Sequence, residues 1–140
     1  MKNVDQVYGP QDLKKMIPLV DYLVVALPFT PETYQLLGVE ELNLIKDGAT
    51  LFNISRGTVI DERALTKVPK DGKIRAVLDV FEDEPLSPES ELWNMENVIV
   101  TPHVSGINIP EEICEEFVRN YKRWIKGKTP VGLVDRNKGY

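Results

Sequence analysis

The 140-residue sequence predicts an α/β fold on a mainly parallel sheet, and two observations carry that expectation. Short β-branched or aliphatic runs recur without strict alternation, the pattern of strands covered on both faces of a parallel sheet. Segments with helical spacing fall between those runs, and strand–helix alternation is the mark of parallel strands joined by helical crossovers.

Taken in order, residues 10–17 form a short amphipathic segment that opens on Pro10 and is closed by Pro18. The first apolar run occupies 22–27 and reads as a strand. A second amphipathic segment, 39–45, ends before the stop signal Asp47-Gly48, and the next apolar run follows at 49–54. Asp61 is an N-cap candidate for a helix over 61–67, which ends before Pro69. The third and fourth runs lie at 74–80 and 98–101. The longest helix is expected over 110–125: proline suits its first turn, Ile113, Phe117, Val118, Tyr121 and Ile125 recur at helical spacing, and Gly127 supplies a stop.

Composition narrows the function classes. With 42% hydrophobic and 28% charged residues the chain can build a core, which argues against disorder. A net charge of −5 speaks against a nucleic-acid partner. The densest basic stretch, Lys122, Arg123, Lys126 and Lys128, falls at a helix end, where cations suit the helix dipole. The single cysteine, Cys114, cannot form an intrachain disulfide and reads as helix packing. No apolar run is long enough to cross a bilayer and no signal-peptide pattern opens the chain, so a cytoplasmic protein is expected. No metal site is expected. Trp93 and Trp124 read as cover for core or interface surface.

Parallel sheets collect ligands at the carboxyl ends of their strands, so the loops after the four runs are the places to look. They carry Pro28 to Thr33, Asn53-Ile54-Ser55-Arg56-Gly57, Asp79 to Pro85, and Thr101-Pro102-His103 to Gly106. Taken alone, each residue has a plain alternative. Arg56 could be a surface arginine paired with Asp61 or Glu62. His103, the one histidine of the chain, stands where histidines are more often structural hydrogen-bonders. Glu82-Asp83-Glu84 could be a solvated acidic loop, and Asp79 a loop-capping aspartate.

Together, in this order and spacing, the four segments resemble the D-isomer-specific 2-hydroxyacid dehydrogenases, a family that includes phosphoglycerate, D-lactate and hydroxypyruvate/glyoxylate enzymes. The resemblance runs nearly the length of the chain, and it implies roles. Arg56 would hold the substrate carboxylate and polarise its carbonyl, a task suited to a planar guanidinium fork. His103 would pass a proton to or from the carbonyl oxygen, because imidazole titrates near operating pH. Glu84 would orient that ring and favour its protonated form; formate dehydrogenases of the same superfamily carry glutamine there, so a glutamate points to hydroxy-acid chemistry. The implied cofactor is NAD or NADP. Pro28, Thr33, Ile54, Ser55, Arg56, Asp79, His103 and Gly106 would line its groove, with Asp79 at the nicotinamide carboxamide. The implied substrate is a small 2-hydroxy or 2-oxo acid.

One family feature is missing from these residues. Members carry a Gly-x-Gly-x-x-Gly turn whose amides hold the cofactor pyrophosphate, whereas here Gly9 stands alone with Gly38 and Gly48 next. The resemblance thus implies a parallel-sheet half-Rossmann arrangement, the second mononucleotide half of a dinucleotide-binding domain, with a long C-terminal helix. Residues 1–140 would form one partial domain, and 127–140 a tail that in relatives returns to the substrate domain. A smaller departure lies between Gly72 and Asp79, where the chain is about one residue short of the usual family pattern, and Pro69 interrupts the preceding helix; both bear on the position of Glu84. Two consequences are expected: weak cofactor binding with little or no activity by the chain alone, and homo-oligomers formed through an exposed sheet edge. The alternative reading is a catalytically inactive half-domain, a folding and self-association module.

Overall fold

A computed structural model describes residues 3–68 and 73–139. Pro69 and Gly72, singled out above, lie outside the described residues. Contacts divide the chain into two units that meet between His103 and Val104, and each is described by itself.

The first unit contains a four-stranded, wholly parallel sheet of β1 (Tyr22–Val25), β2 (Thr50–Asn53), β3 (Arg75–Leu78) and β4 (Val98–Val100), in spatial order β1-β2-β3-β4. Each strand is laid beside the last, so all the carboxyl ends share one edge. The fold class expected from the sequence is the one observed.

Three short helices accompany the strands: α1 (Leu13–Met16) precedes β1, α2 (Val39–Leu44) lies between β1 and β2, and α3 (Glu62–Leu65) between β2 and β3, while a 3-10 turn at Glu91–Asn94 lies between β3 and β4. α1 is flanked by 3-10 turns at Pro10–Asp12 and Ile17–Leu19, so the helical path continues through Pro18 instead of stopping there. In the first turn of a 3-10 segment the missing proline N–H breaks no bond. The Gly38 N–H opens α2 by donating to the Glu41 carboxylate at 3.1 Å. Asp61 caps α3 as expected, its carboxylate accepting from the Ala64 N–H at 3.1 Å.

Leu23, Val25, Leu51, Asn53, Ala76 and Leu78 share one face of the sheet, and all are buried. Ile17, Leu42, Ile45, Ala64, Leu65 and Leu92 complete that core. The other face differs from the expectation that both would be covered. On it Tyr22, Val24 and Ile99 are 71%, 54% and 59% exposed. Repeated crossovers of one hand put the linking segments on the same side of the sheet, and so the apolar runs have more apolar residues than this chain covers. Trp93 is also exposed, with Leu92 entering the core in its place.

The second unit is α4 (Pro110–Trp124) and the segment after it. Glu111 and Glu112 in its first turn, and Lys122 and Arg123 in its last, complement the helix dipole. Gly127, at φ 67°, closes the helix, with its N–H on Trp124 O and that of Lys128 on Arg123 O. Asn120 bonds both backbone groups of Val131, and Arg123 Nε donates to Thr129 O, which ties the following segment back to the helix. Cys114 is exposed, contrary to its reading as packing, because no residue of α4 is buried. Trp124 is likewise exposed. Among the described residues no helix is long and apolar enough to cross a membrane.

Candidate active site at the carboxyl edge of the sheet

Parallel pairing delivers the loops after β1 to β4 to a single edge, and local hydrogen bonds shape each loop. After β1, the Thr33 hydroxyl accepts from the Thr30 N–H and donates to Pro28 O, both at 2.8 Å, folding the loop on itself. Thr30 is buried, Thr33 half-buried and Pro28 exposed.

The loop after β2 is organised by Asn53, whose side chain is 1% exposed. Its Oδ1 accepts from the Ser55 N–H at 3.2 Å and the Ser55 hydroxyl at 3.0 Å, and its Nδ2 donates to Arg56 O at 3.1 Å. A buried asparagine thus makes three bonds to the segment that carries Arg56. The Arg56 guanidinium is exposed and donates to Ser55 O at 2.6 Å. The pairing of Arg56 with Asp61 or Glu62, the plain alternative, is not what forms: Asp61 caps α3 and Glu62 accepts from the Glu82 N–H at 3.1 Å. Ile54 is 44% exposed and Ser55 is buried.

Next in the chain, Gly57 has an unexpected reason to be glycine. Its backbone is not in the left-handed region. A Cβ there would overlap the Phe81 carbonyl and the Glu82 nitrogen, so the loops after β2 and β3 touch backbone to backbone.

After β3, Asp79 is 2% exposed, and its Oδ1 accepts from the Thr101 hydroxyl at 2.5 Å. A carboxylate at that depth requires such donors. Phe81 is buried, and its N–H donates to Glu84 Oε1 at 3.0 Å. Glu84 then turns its second oxygen outward, where His103 Nδ1 lies 2.8 Å from Oε2. The bonds from His103 and Phe81 hold the Glu84 carboxyl below its ordinary value, and the Arg56 charge acts in the same direction. His103 has φ 53°, a left-handed conformation uncommon for a residue with a side chain. Its side chain is 51% exposed beside a cleft of about 420 Å³ lined by Phe81, Glu84, Leu86, Trp93 and Pro102.

Of the residues expected from the sequence, Glu84 and His103 are brought into contact, and Arg56 acts on Glu84 through its charge. Gly106 belongs to the second unit, where a Cβ would meet nothing within 4 Å among the described residues. Sequence reasoning missed the supports: Asn53, the contact at Gly57, Glu62, the Phe81 N–H and Thr101. The available signal was a polar residue, Asn53 or Thr101, at the end of an apolar run.

A family model described as "D-isomer specific 2-hydroxyacid dehydrogenase, NAD binding domain" matches residues 2–105. Several solved structures are similar to the chain. A D-isomer specific 2-hydroxyacid dehydrogenase from Xanthobacter autotrophicus Py2, in complex with NADPH and MES, is 41% identical with a TM-score of 0.90, covering 94% of this chain and 55% of its own. A family protein from Aeromonas salmonicida subsp. salmonicida A449 is 44% identical with a TM-score of 0.87, covering 94% of this chain and 43% of its own. An NADPH-dependent glyoxylate/hydroxypyruvate reductase from Sinorhizobium meliloti, in complex with NADP and sulfate, is 31% identical with a TM-score of 0.88, covering 95% of this chain and 44% of its own. The chain thus spans about half the length of these relatives.

Proposed function

Because the chain belongs to the D-isomer specific 2-hydroxyacid dehydrogenases through their NAD-binding domain, we propose that it serves an NAD- or NADP-dependent oxidoreductase acting on a small 2-oxo or 2-hydroxy acid. The observation that carries this reading is the 2.8 Å contact between His103 Nδ1 and Glu84 Oε2 at the carboxyl edge of the sheet.

An ionised carboxylate can only accept, so Glu84 keeps a proton on Nδ1 and leaves Nε2 for the substrate. A neutral ring then takes the hydroxyl proton of a 2-hydroxy acid at Nε2, and an imidazolium returns it to the oxygen of a 2-oxo acid. Glu84 fixes the ring's rotation, the arrangement of a base oriented by a third group. Arg56 binds the substrate carboxylate and draws electron density from the adjacent carbonyl.

Buried polar residues at this edge, Asn53, Ser55 and Asp79, fit a nicotinamide better than an apolar ligand. A nicotinamide bound there would supply or accept the hydride. Asp79 would hold its carboxamide, Ile54, Ser55 and Gly106 would lie beside it, and Pro28 and Thr33 would line the groove toward the adenosine. The 140 residues lack the glycine-rich pyrophosphate turn, so this chain alone binds the cofactor weakly. Residues 1–140 act as one partial nucleotide-binding domain, with 127–140 returning toward a substrate domain, in the cytoplasm. The open edge of β1 favours homo-oligomers, since unpaired strand edges recruit other chains.

The test follows NADH absorbance with glyoxylate, hydroxypyruvate and pyruvate, with His103→Gln as the control. Turnover abolished by the substitution is the expected result; turnover that survives it would sink the site assignment. A chain that gives no turnover even at saturating NADH, yet is self-associated by sedimentation, would favour the second reading, an inactive self-association module. The exposed Tyr22 and Val24 support that alternative.

A further inference from the structure

Glu62 has no part in the proposed chemistry. It opens α3, yet its Oε2 accepts from the N–H of Glu82, twenty residues on, at 3.1 Å. Glu82 stands inside the loop that delivers Glu84. One residue earlier, the Phe81 N–H donates to Glu84 Oε1, and the same backbone presses on Gly57. Contact with Gly57 and the side-chain hydrogen bond to Glu62 therefore both bear on the backbone just before Glu84. Lysine or arginine could not replace this glutamate, because only an acceptor can bind an N–H.

We propose that Glu62 is a positioning residue: by holding the Glu82 N–H it fixes the loop from which Glu84 reaches His103. This rests on the proposed role of the Glu84–His103 pair and names a determinant of its geometry. What recommends Glu62 for more than loop packing is its setting. It is half-buried, with Asp61 and the cation Arg63 beside it on its own element, and with the like charges of Glu82 and Asp83 on the facing loop and Glu91 across the adjoining cleft. Burial, with the charges of Glu82 and Asp83, raises its carboxyl above the ordinary value, whereas Glu84 is lowered. A carboxylate kept there against its own electrostatics is explained by the bond it makes.

The chain's single histidine and its assignable amides allow a direct test by NMR of the whole polypeptide. The readouts are the Nδ1 shift of His103, which reports its bond to Glu84, and the acid titration of the Phe81 amide, which reports Glu84. Glu84→Ala defines complete loss of both. Glu62→Ala is expected to move both signals toward that reference. Glu62→Gln keeps the reach and an acceptor oxygen, and retains the wild-type signals. Glu62→Asp keeps the charge but is one methylene shorter, and behaves like alanine. The proposal is overturned if the alanine variant folds with wild-type signals. It is equally overturned if aspartate is wild-type and glutamine is not, since charge and not position would then matter. Should the alanine variant not fold, the glutamine and aspartate pair decides by the same criterion. Turnover is not among the readouts, so failure here is separate from failure of the functional reading.

Discussion

Replacing Gly57 with alanine drives a methyl group into the backbone of Phe81 and Glu82. Ordinary carbon contacts begin near 3.5 Å, so the two loops must separate by roughly 1–2 Å to accept it. The neighbouring atoms are main chain and cannot rotate away. Overpacking of this kind costs about 1–3 kcal/mol. A smaller opposing effect comes from the unfolded chain, which alanine stiffens by about 0.4–1 kcal/mol. The expected net loss is about 1–2 kcal/mol, and with a urea slope near 2 kcal/mol/M the midpoint falls by about 0.5–1 M. The same displacement carries Glu84 away from His103, so the histidine Nδ1 resonance shifts at urea concentrations where the protein is still folded. Gly106→Ala, in open space, leaves the urea midpoint unchanged. A Gly57→Ala midpoint within about 0.2 M of wild type, with an unchanged histidine spectrum, would refute the close approach of the two loops.

Other perturbations separate the supports from one another. Asn53→Ala removes three hydrogen bonds from a side chain 1% exposed and should cost about 1–3 kcal/mol in urea unfolding, with loss of order at Arg56. Thr101→Val deprives the buried Asp79 carboxylate of a donor at nearly constant volume; a loss of about 1–3 kcal/mol is expected, and no change would refute the bond's importance. Leu51→Ala, at a fully buried core position in β2, should cost about 2–5 kcal/mol by the same measurement. Glu84 is lowered in the fold, so its contribution to stability is present above the ordinary carboxylate value and is lost as pH falls through its folded value. Unfolding followed from neutral pH into acid should show that loss, and Glu84→Gln should flatten it.

How much of this was legible in the sequence depended on the range of the interaction. The strands, the Asp61 cap, the Pro110 start of α4 and its Gly127 stop depend on residues within a few positions of each other, and they appear as expected. The helix through Pro18 did not end where a proline suggested, because a 3-10 turn tolerates the missing donor. Arg56, Glu84 and His103 were recognisable as residue types at familiar spacings in loops that follow strands. Their supports were not. Asn53 reads as the last residue of a strand, and only burial makes its three bonds decisive.

By itself, then, the sequence determined the parallel α/β class, the order of the loops and the chemical groups they carry, because period and turn chemistry are local. Tertiary structure alone decided that Gly57 touches Phe81, that Glu62 reaches Glu82 and that Glu84 meets His103. Those partners lie nineteen to twenty-four residues apart and meet only when parallel pairing brings four strand ends to one edge. It also decided which apolar residues are covered. A run such as that at Tyr22 and Val24 looks the same in sequence whether its outer face is buried or, as here, exposed.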